Sequence, residues 1–165
     1  MQLKTAFYPC CGNDIQEPIK ILREYVNRII FCDINQNIIA RRQRAKSLKY
    51  NSSLELIFVC EDARKALSNI GRVDILFHRK DGIGEGGSGI FILGKKFLSL
   101  LLIRMPSEGG MIITDGSCNR DHMLGKILRD TGCSLNGWRL HLRPEQLLMR
   151  DYNLMQILVN PISNK

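Results

Sequence analysis

What most constrains this chain is an alternation of short β-rich runs with longer helical patterns. Residues 3–9, 28–33, 54–59, 73–78 and 111–115 read as strands, most of them ending on Asp, Gly or Pro. Helical stretches at 18–25, 36–50, 63–69, 90–105 and 123–131 separate and follow them. Strands joined through helices run parallel, and right-handed crossovers lay the helices on both faces of the sheet. Beyond Gly132 the alternation stops. Residues 138–142 and 154–159 are strand-like and joined by too few residues for a crossover helix with its loops, which predicts an antiparallel hairpin at the end of the sheet. The expected architecture is α/β, a three-layer, doubly wound, mostly parallel sheet of about seven strands.

With 165 residues, 44% of them hydrophobic, the chain suits one domain over 1–165 and is too short for two ordinary ones. The absence of low-complexity tracts argues against disorder. Lys and Arg number 24 against 16 Asp and Glu, a formal charge of +8, which admits nucleic acid, acidic proteins and anionic cofactors as partners. The basic residues concentrate at Arg41, Arg42, Arg44, Lys46 and Lys49, with Ile38, Ile39, Ala45 and Leu48 available to face the sheet. Such a run is either a solvated face or a surface for an acidic protein or nucleic acid. The apolar run 97–103 lies between Lys96 and Arg104 and falls short of the roughly 18 residues of a membrane span, so a core helix is expected. Residues 3–9 lead into a strand without a secretory pattern, giving a cytoplasmic expectation. Six cysteines without a C-x-x-C pair are expected to be reduced.

In doubly wound sheets ligands sit beyond the carboxyl ends of the strands. The first such end reads Tyr8-Pro9-Cys10-Cys11-Gly12-Asn13-Asp14. It is either a turn that lets a ligand approach the backbone or a tight connection whose Asp14 caps a helix. Asp33 ends the second strand about 20 residues beyond that glycine, the spacing of a ribose-binding carboxylate; a helix-capping role for Asp33 or Asn35 is the alternative. The third strand ends in Cys60-Glu61-Asp62, an acceptor for an exocyclic adenine amine or again a cap. His78 opens a glycine-rich segment ending at Gly89, expected to be a lid or binding loop. Its G-x-G-x-x-G at Gly84, Gly86 and Gly89 begins too far from the strand for a dinucleotide fingerprint, and no phosphate-loop Gly-Lys-Ser/Thr is present. His78, His122 and His141 have no ligand-like spacing, so no metal is expected. No Gly-x-Ser-x-Gly supports a hydrolase, and Cys10 and Cys11 have no evident base.

Phe7-Tyr8-Pro9-Cys10-Cys11-Gly12, Asp33, Glu61-Asp62 and the terminal hairpin together resemble the Rossmann-like class I S-adenosylmethionine (SAM)-dependent methyltransferase superfamily over nearly the whole chain. The resemblance implies a seven-stranded sheet with its last strand antiparallel. It also implies SAM as cofactor, with Gly12 and Asn13 against its methionine part, Asp33 on its ribose and Asp62 facing its adenine. His78 and the residues to Asp81 would lie near cofactor and acceptor. Methyl transfer needs positioning and desolvation more than strong acid–base groups, and Asp81 and Glu85 are the candidates to orient or deprotonate the acceptor. The rival expectation is the same fold as a non-catalytic protein-binding module or inhibitor, of immunity or antitoxin type, using the glycine segment or the basic helix.

Overall fold

A computed structural model describes residues 4–46, 53–80, 93–117, 126–127, 133–143 and 152–162. The elements run β1 (Thr5–Tyr8), α1 (Gln16–Leu22), β2 (Arg28–Asp33), α2 (Ile38–Lys46), β3 (Glu55–Cys60), α3 (Ala63–Asn69), β4 (Ile75–His78), α4 (Lys95–Arg104) and β5 (Gly110–Thr114). Three further strands follow, β6 (Cys133–Leu135), β7 (Trp138–Leu142) and β8 (Met155–Pro161). They form one sheet in the order β3-β2-β1-β4-β5-β8-β7-β6. The strands from β3 through β5 pair in parallel, and β5–β8, β8–β7 and β7–β6 pair antiparallel.

The expected mostly parallel α/β sheet with a C-terminal antiparallel hairpin is present. The described sheet has eight strands where about seven were expected. The extra one, Cys-Ser-Leu at β6, is an edge strand too short for alternation to reveal. The hairpin extends the sheet from β5 through its second strand, so β8 lies between β5 and β7 and pairs with β5 from Gly110↔Val159 to Thr114↔Met155. Its Ile157 and Val159 are fully buried, which rewards an interior position.

Strand alternation explains the three layers. Phe7, Ile30, Cys32 and Leu76 point to one face, where they pack with Ala66 and Leu67 of α3 and Phe97, Leu98 and Leu101 of α4. Ala6, Tyr8, Ile29, Phe31 and Phe77 point to the other, against Ile19 and Leu22 of α1 and Ala45 of α2. Both faces of β1 and β4 are covered, so these strands are apolar at nearly every position rather than alternating. The amino-terminal edge of the sheet is tied by Arg72, which donates to Asp74 at 2.6 Å and Glu108 at 2.7 Å, while Asp74 accepts the Thr5 N–H at 2.8 Å.

The chain moves from β1 outward to β2 and β3, then returns to β4 on the other side of β1. Between β1 and β4 lies the point where strand order reverses, so the carboxyl ends of the central strands form the natural ligand crevice.

Candidate functional site

The turn leaving β1 is shaped by two left-handed residues, Cys10 at φ 54° and Gly12 at φ 52°, on either side of the buried Cys11. The Cys11 N–H donates to the Cys32 carbonyl at 3.0 Å, binding the turn to the second strand. A side chain at Gly12 would meet no atom within 4 Å, so its Cα faces open space. Asp33 closes the arrangement: its carboxylate accepts the Gly12 N–H at 2.7 Å and the Asn35 N–H at 2.8 Å. The two residues that sequence spacing paired are thus in contact.

A third group reaches this carboxylate. Arg41 of α2 donates Nε–H to the Gly12 carbonyl at 2.8 Å and places Nη2 3.3 Å from Asp33. Arg41 is 1% exposed, which corrects its place on a solvated basic face. Arg42 and Lys46 are exposed as expected, while Arg44, also exposed, donates to the Asn13 carbonyl at 3.0 Å. Arg41 and Ala45, four residues apart, share the buried face; Ala45 was expected there, whereas Ile39, also expected inward, is 73% exposed. Two acceptors beneath the helix, the Gly12 carbonyl and the Asp33 carboxylate, stabilise a guanidinium where an isoleucine was expected.

Across the reversal point, Arg79 follows β4 and is 3% exposed. It holds Asp14 through two bonds at 2.6 and 2.7 Å and also donates to Glu17. The Tyr8 hydroxyl lies 2.9 Å from Asp14 and 3.0 Å from the Arg79 carbonyl, both potential acceptors of its one proton. The hydrogen bond from Arg79 holds the Glu17 carboxyl below its ordinary value, while burial, with Asp14 adding to it, raises the Tyr8 phenol. Asp14 therefore is a strut between β1, α1 and β4 and not a cap; the α1 N-cap, Ile15, makes no side-chain capping bond. Burial pushes the Cys32 thiol up to about 12 and the Cys11 thiol higher still, so neither is primed as a nucleophile.

At the end of β3, Asp62 caps α3, accepting the N–H groups of Arg64 at 2.9 Å and Lys65 at 3.4 Å. Its side chain also pairs with the Arg64 guanidinium, which with the capping bonds lowers the carboxyl to about 2. Between the ends of β2 and β3, Ile34 is 67% exposed, and its carbonyl accepts from the Cys60 thiol at 3.6 Å. His78 is fully buried within β4. Asp81 and Glu85 lie outside the described residues, as do the glycines of their segment. After β5, Asp115 accepts the Lys80 N–H at 2.9 Å and so fixes the direction in which the chain leaves β4.

A groove of about 460 Å³ runs along the other end of the turn, lined by Asn13, Asp14, Glu17, Lys20, Arg44 and Lys80 among others. Asp33 and Asp62 do not line it. Among the described residues no group of three His, Cys, Asp or Glu is placed to hold a metal ion, none of the five cysteines is in a disulfide, and no helix is long and apolar enough to cross a membrane.

No protein-family model matches the chain, and no curated protein matches it in sequence. Solved structures do match in three dimensions. A methyltransferase from Geobacter sulfurreducens aligns with a TM-score of 0.59 at 13% identity, covering 97% of this chain and 72% of its own. An rRNA methylase from Streptococcus thermophilus gives 0.57 at 9% identity, covering 99% and 90%. A Streptococcus mutans protein assigned as a methyltransferase and solved in complex with SAH gives 0.57 at 11%, covering 96% and 90%. This chain has the class I methyltransferase fold.

In this methyltransferase fold Gly12, Asn13, Asp33 and Asp62 stand at adjoining strand ends, whereas His78 is enclosed by the core. Sequence reasoning placed Arg41 on a basic surface and Tyr8 and Arg79 only within their strand-end segments; it foresaw neither their buried contacts nor the one Asp115 makes. Asp14 gave a signal too, but it pointed to capping.

Proposed function

We propose that this protein binds S-adenosylmethionine across the β1–α1 turn and acts as a methyl-transfer enzyme. The observation that carries the reading is the 2.7 Å contact between the Gly12 N–H and the Asp33 carboxylate, beneath a turn whose glycine faces open space. The donor set fits an adenosine ligand in kind. Asp33, with its side chain 14% exposed, would hold a ribose hydroxyl, and the exposed Ile34 would pack against the base beside Asp62. The groove beside Asn13 carries side chains of both signs, matching the zwitterionic methionine end. When bound, the cofactor supplies a sulfonium methyl for in-line transfer to a nucleophile. The chain's own contribution is positioning: Arg79 and Asp115 fix the path out of β4, and Asp33 holds the turn through the Gly12 N–H.

Titration calorimetry with SAM and SAH tests this without knowledge of the acceptor. Binding tighter than about 1 mM, lost in Asp33→Asn, supports it. No heat and no thermal stabilisation at millimolar ligand sinks it.

One observation favours a second reading. Asp33 is engaged by the protein's own Arg41, which suits a methyltransferase fold turned into a non-catalytic binding module that meets an acidic protein or nucleic acid through Arg42, Arg44 and Lys46. Under that reading neither SAM nor SAH binds, and substituting Arg42 and Lys46 weakens the macromolecular partner instead.

A further inference from the structure

The site holds two buried arginines that differ in how well they are held. The Arg79 guanidinium grips Asp14 through paired bonds at 2.6 and 2.7 Å and adds Glu17. Such short, forked, charge-assisted contacts mark a permanent strut. Arg41 meets Asp33 through Nη2 alone at 3.3 Å, longer than a good charge-assisted bond, and spends Nε–H on the Gly12 carbonyl. Its Nη1 is buried and has no hydrogen-bond partner among the described residues. A buried donor left unsatisfied favours any arrangement that returns it to water or to an acceptor.

The carboxylate that Arg41 occupies is the one placed to receive a ribose. A carboxylate has about four acceptor positions; Asp33 accepts the Gly12 and Asn35 N–H groups, and Arg41 Nη2 stands 3.3 Å from it as an ion pair without a well-aligned hydrogen bond. The guanidinium also neutralises the charge that would strengthen hydroxyl donation. We infer that Arg41 is a displaceable internal ligand of Asp33: it holds the ribose position closed in the free protein, and a nucleoside cofactor binds fully only as the guanidinium withdraws. This rests on the SAM reading and adds a residue that sets cofactor affinity from within the fold. Departure of Arg41 would also free the Gly12 carbonyl and loosen the turn, so ordering of the β1–α1 turn becomes coupled to cofactor occupancy.

The test is calorimetric titration of SAH into the wild-type chain, Arg41→Met and the double variant Arg41→Met with Asp33→Asn, each checked for folding by circular dichroism. Methionine keeps an apolar stem and removes the competing charge. The inference expects Arg41→Met to bind at least tenfold tighter than wild type and the double variant to lose that gain. Equal or weaker binding by folded Arg41→Met overturns it. Should Arg41→Met fail to fold, wild-type protein labelled at arginine nitrogen answers the same question by NMR. Protection of the Arg41 Nε–H, bonded to the Gly12 carbonyl, is expected to fall on saturation with SAH, and undiminished protection overturns the inference. Failure of all three proteins to bind millimolar SAH removes the SAM reading and this inference with it. Binding to wild type without a gain in Arg41→Met removes this inference alone.

Discussion

Replacing Arg79 by methionine tests whether the strut between β1, α1 and β4 holds the site together. Arg79 is 3% exposed and ties Asp14, 18% exposed at its side chain, and Glu17, 45% exposed. Removing one partner of a fully buried pair costs about 3–5 kcal/mol, because the other is left charged and unpaired. Here the stranded carboxylates recover part of their hydration, Glu17 most of it, so the loss should fall below that range, at about 2–3 kcal/mol. For a chain of this length that corresponds to about 4–12 °C in Tm. Urea unfolding followed by circular dichroism measures it. The loss also carries a pH signature. Arg79 holds the Glu17 carboxyl below its ordinary value of 4.5. That part of the stability is fully present above 4.5 and fades as pH falls through the depressed value, so wild type and Arg79→Met should converge in acid. Adding Asp14→Asn should restore part of the loss by removing a stranded charge. A loss under about 0.5 kcal/mol, the range of an ordinary surface pair, would refute the reasoning.

Other sites give independent checks. Gly12→Ala costs about 1–2 kcal/mol through its left-handed backbone alone, since the added carbon meets nothing within 4 Å, yet it should weaken SAH binding by projecting into the ligand's space. Asp62→Ala removes the α3 cap and should cost about 0.5–2 kcal/mol at neutral pH. Because the folded carboxyl sits at about 2 against an ordinary 3.8, that advantage should be intact above 3.8 and fade as pH falls through about 2, the two Tm curves meeting only below it. Gly110→Ala puts a carbon 2.8 Å from the Asp74 backbone carbonyl and should destabilise by about 1–3 kcal/mol in thermal melts, with SAH affinity unchanged.

Much of the fold was legible because it rests on local patterning. Residues 28–33, 63–69 and 138–142 were read with the boundaries that β2, α3 and β7 have, each marked by an apolar run, a capping Asp or flanking turn residues. β6 was not legible because three residues carry no period. The site was half legible. Gly12 and Asp33 could be paired because a strand, a helix and the next strand fix their separation, and Asp62 because it follows β3. Arg41 was misplaced because helical amphipathicity puts isoleucine inward, while a carboxylate and a carbonyl beneath α2 outweighed that preference. Tyr8, Asp14 and Arg79 meet only through the parallel pairing of β1 with β4, and Arg79 stands 65 residues from Asp14. No local signal spans that gap.

The central claim is that a nucleoside cofactor lies over Gly12 with its ribose on Asp33, and a crystal structure grown with millimolar SAH tests it most directly. The account predicts density above the β1–α1 turn, a ribose hydroxyl within hydrogen-bond distance of Asp33, and the base against Ile34. SAH bound elsewhere, or crystals that diffract well with no ligand over Gly12 while Arg41 still holds Asp33, would contradict it.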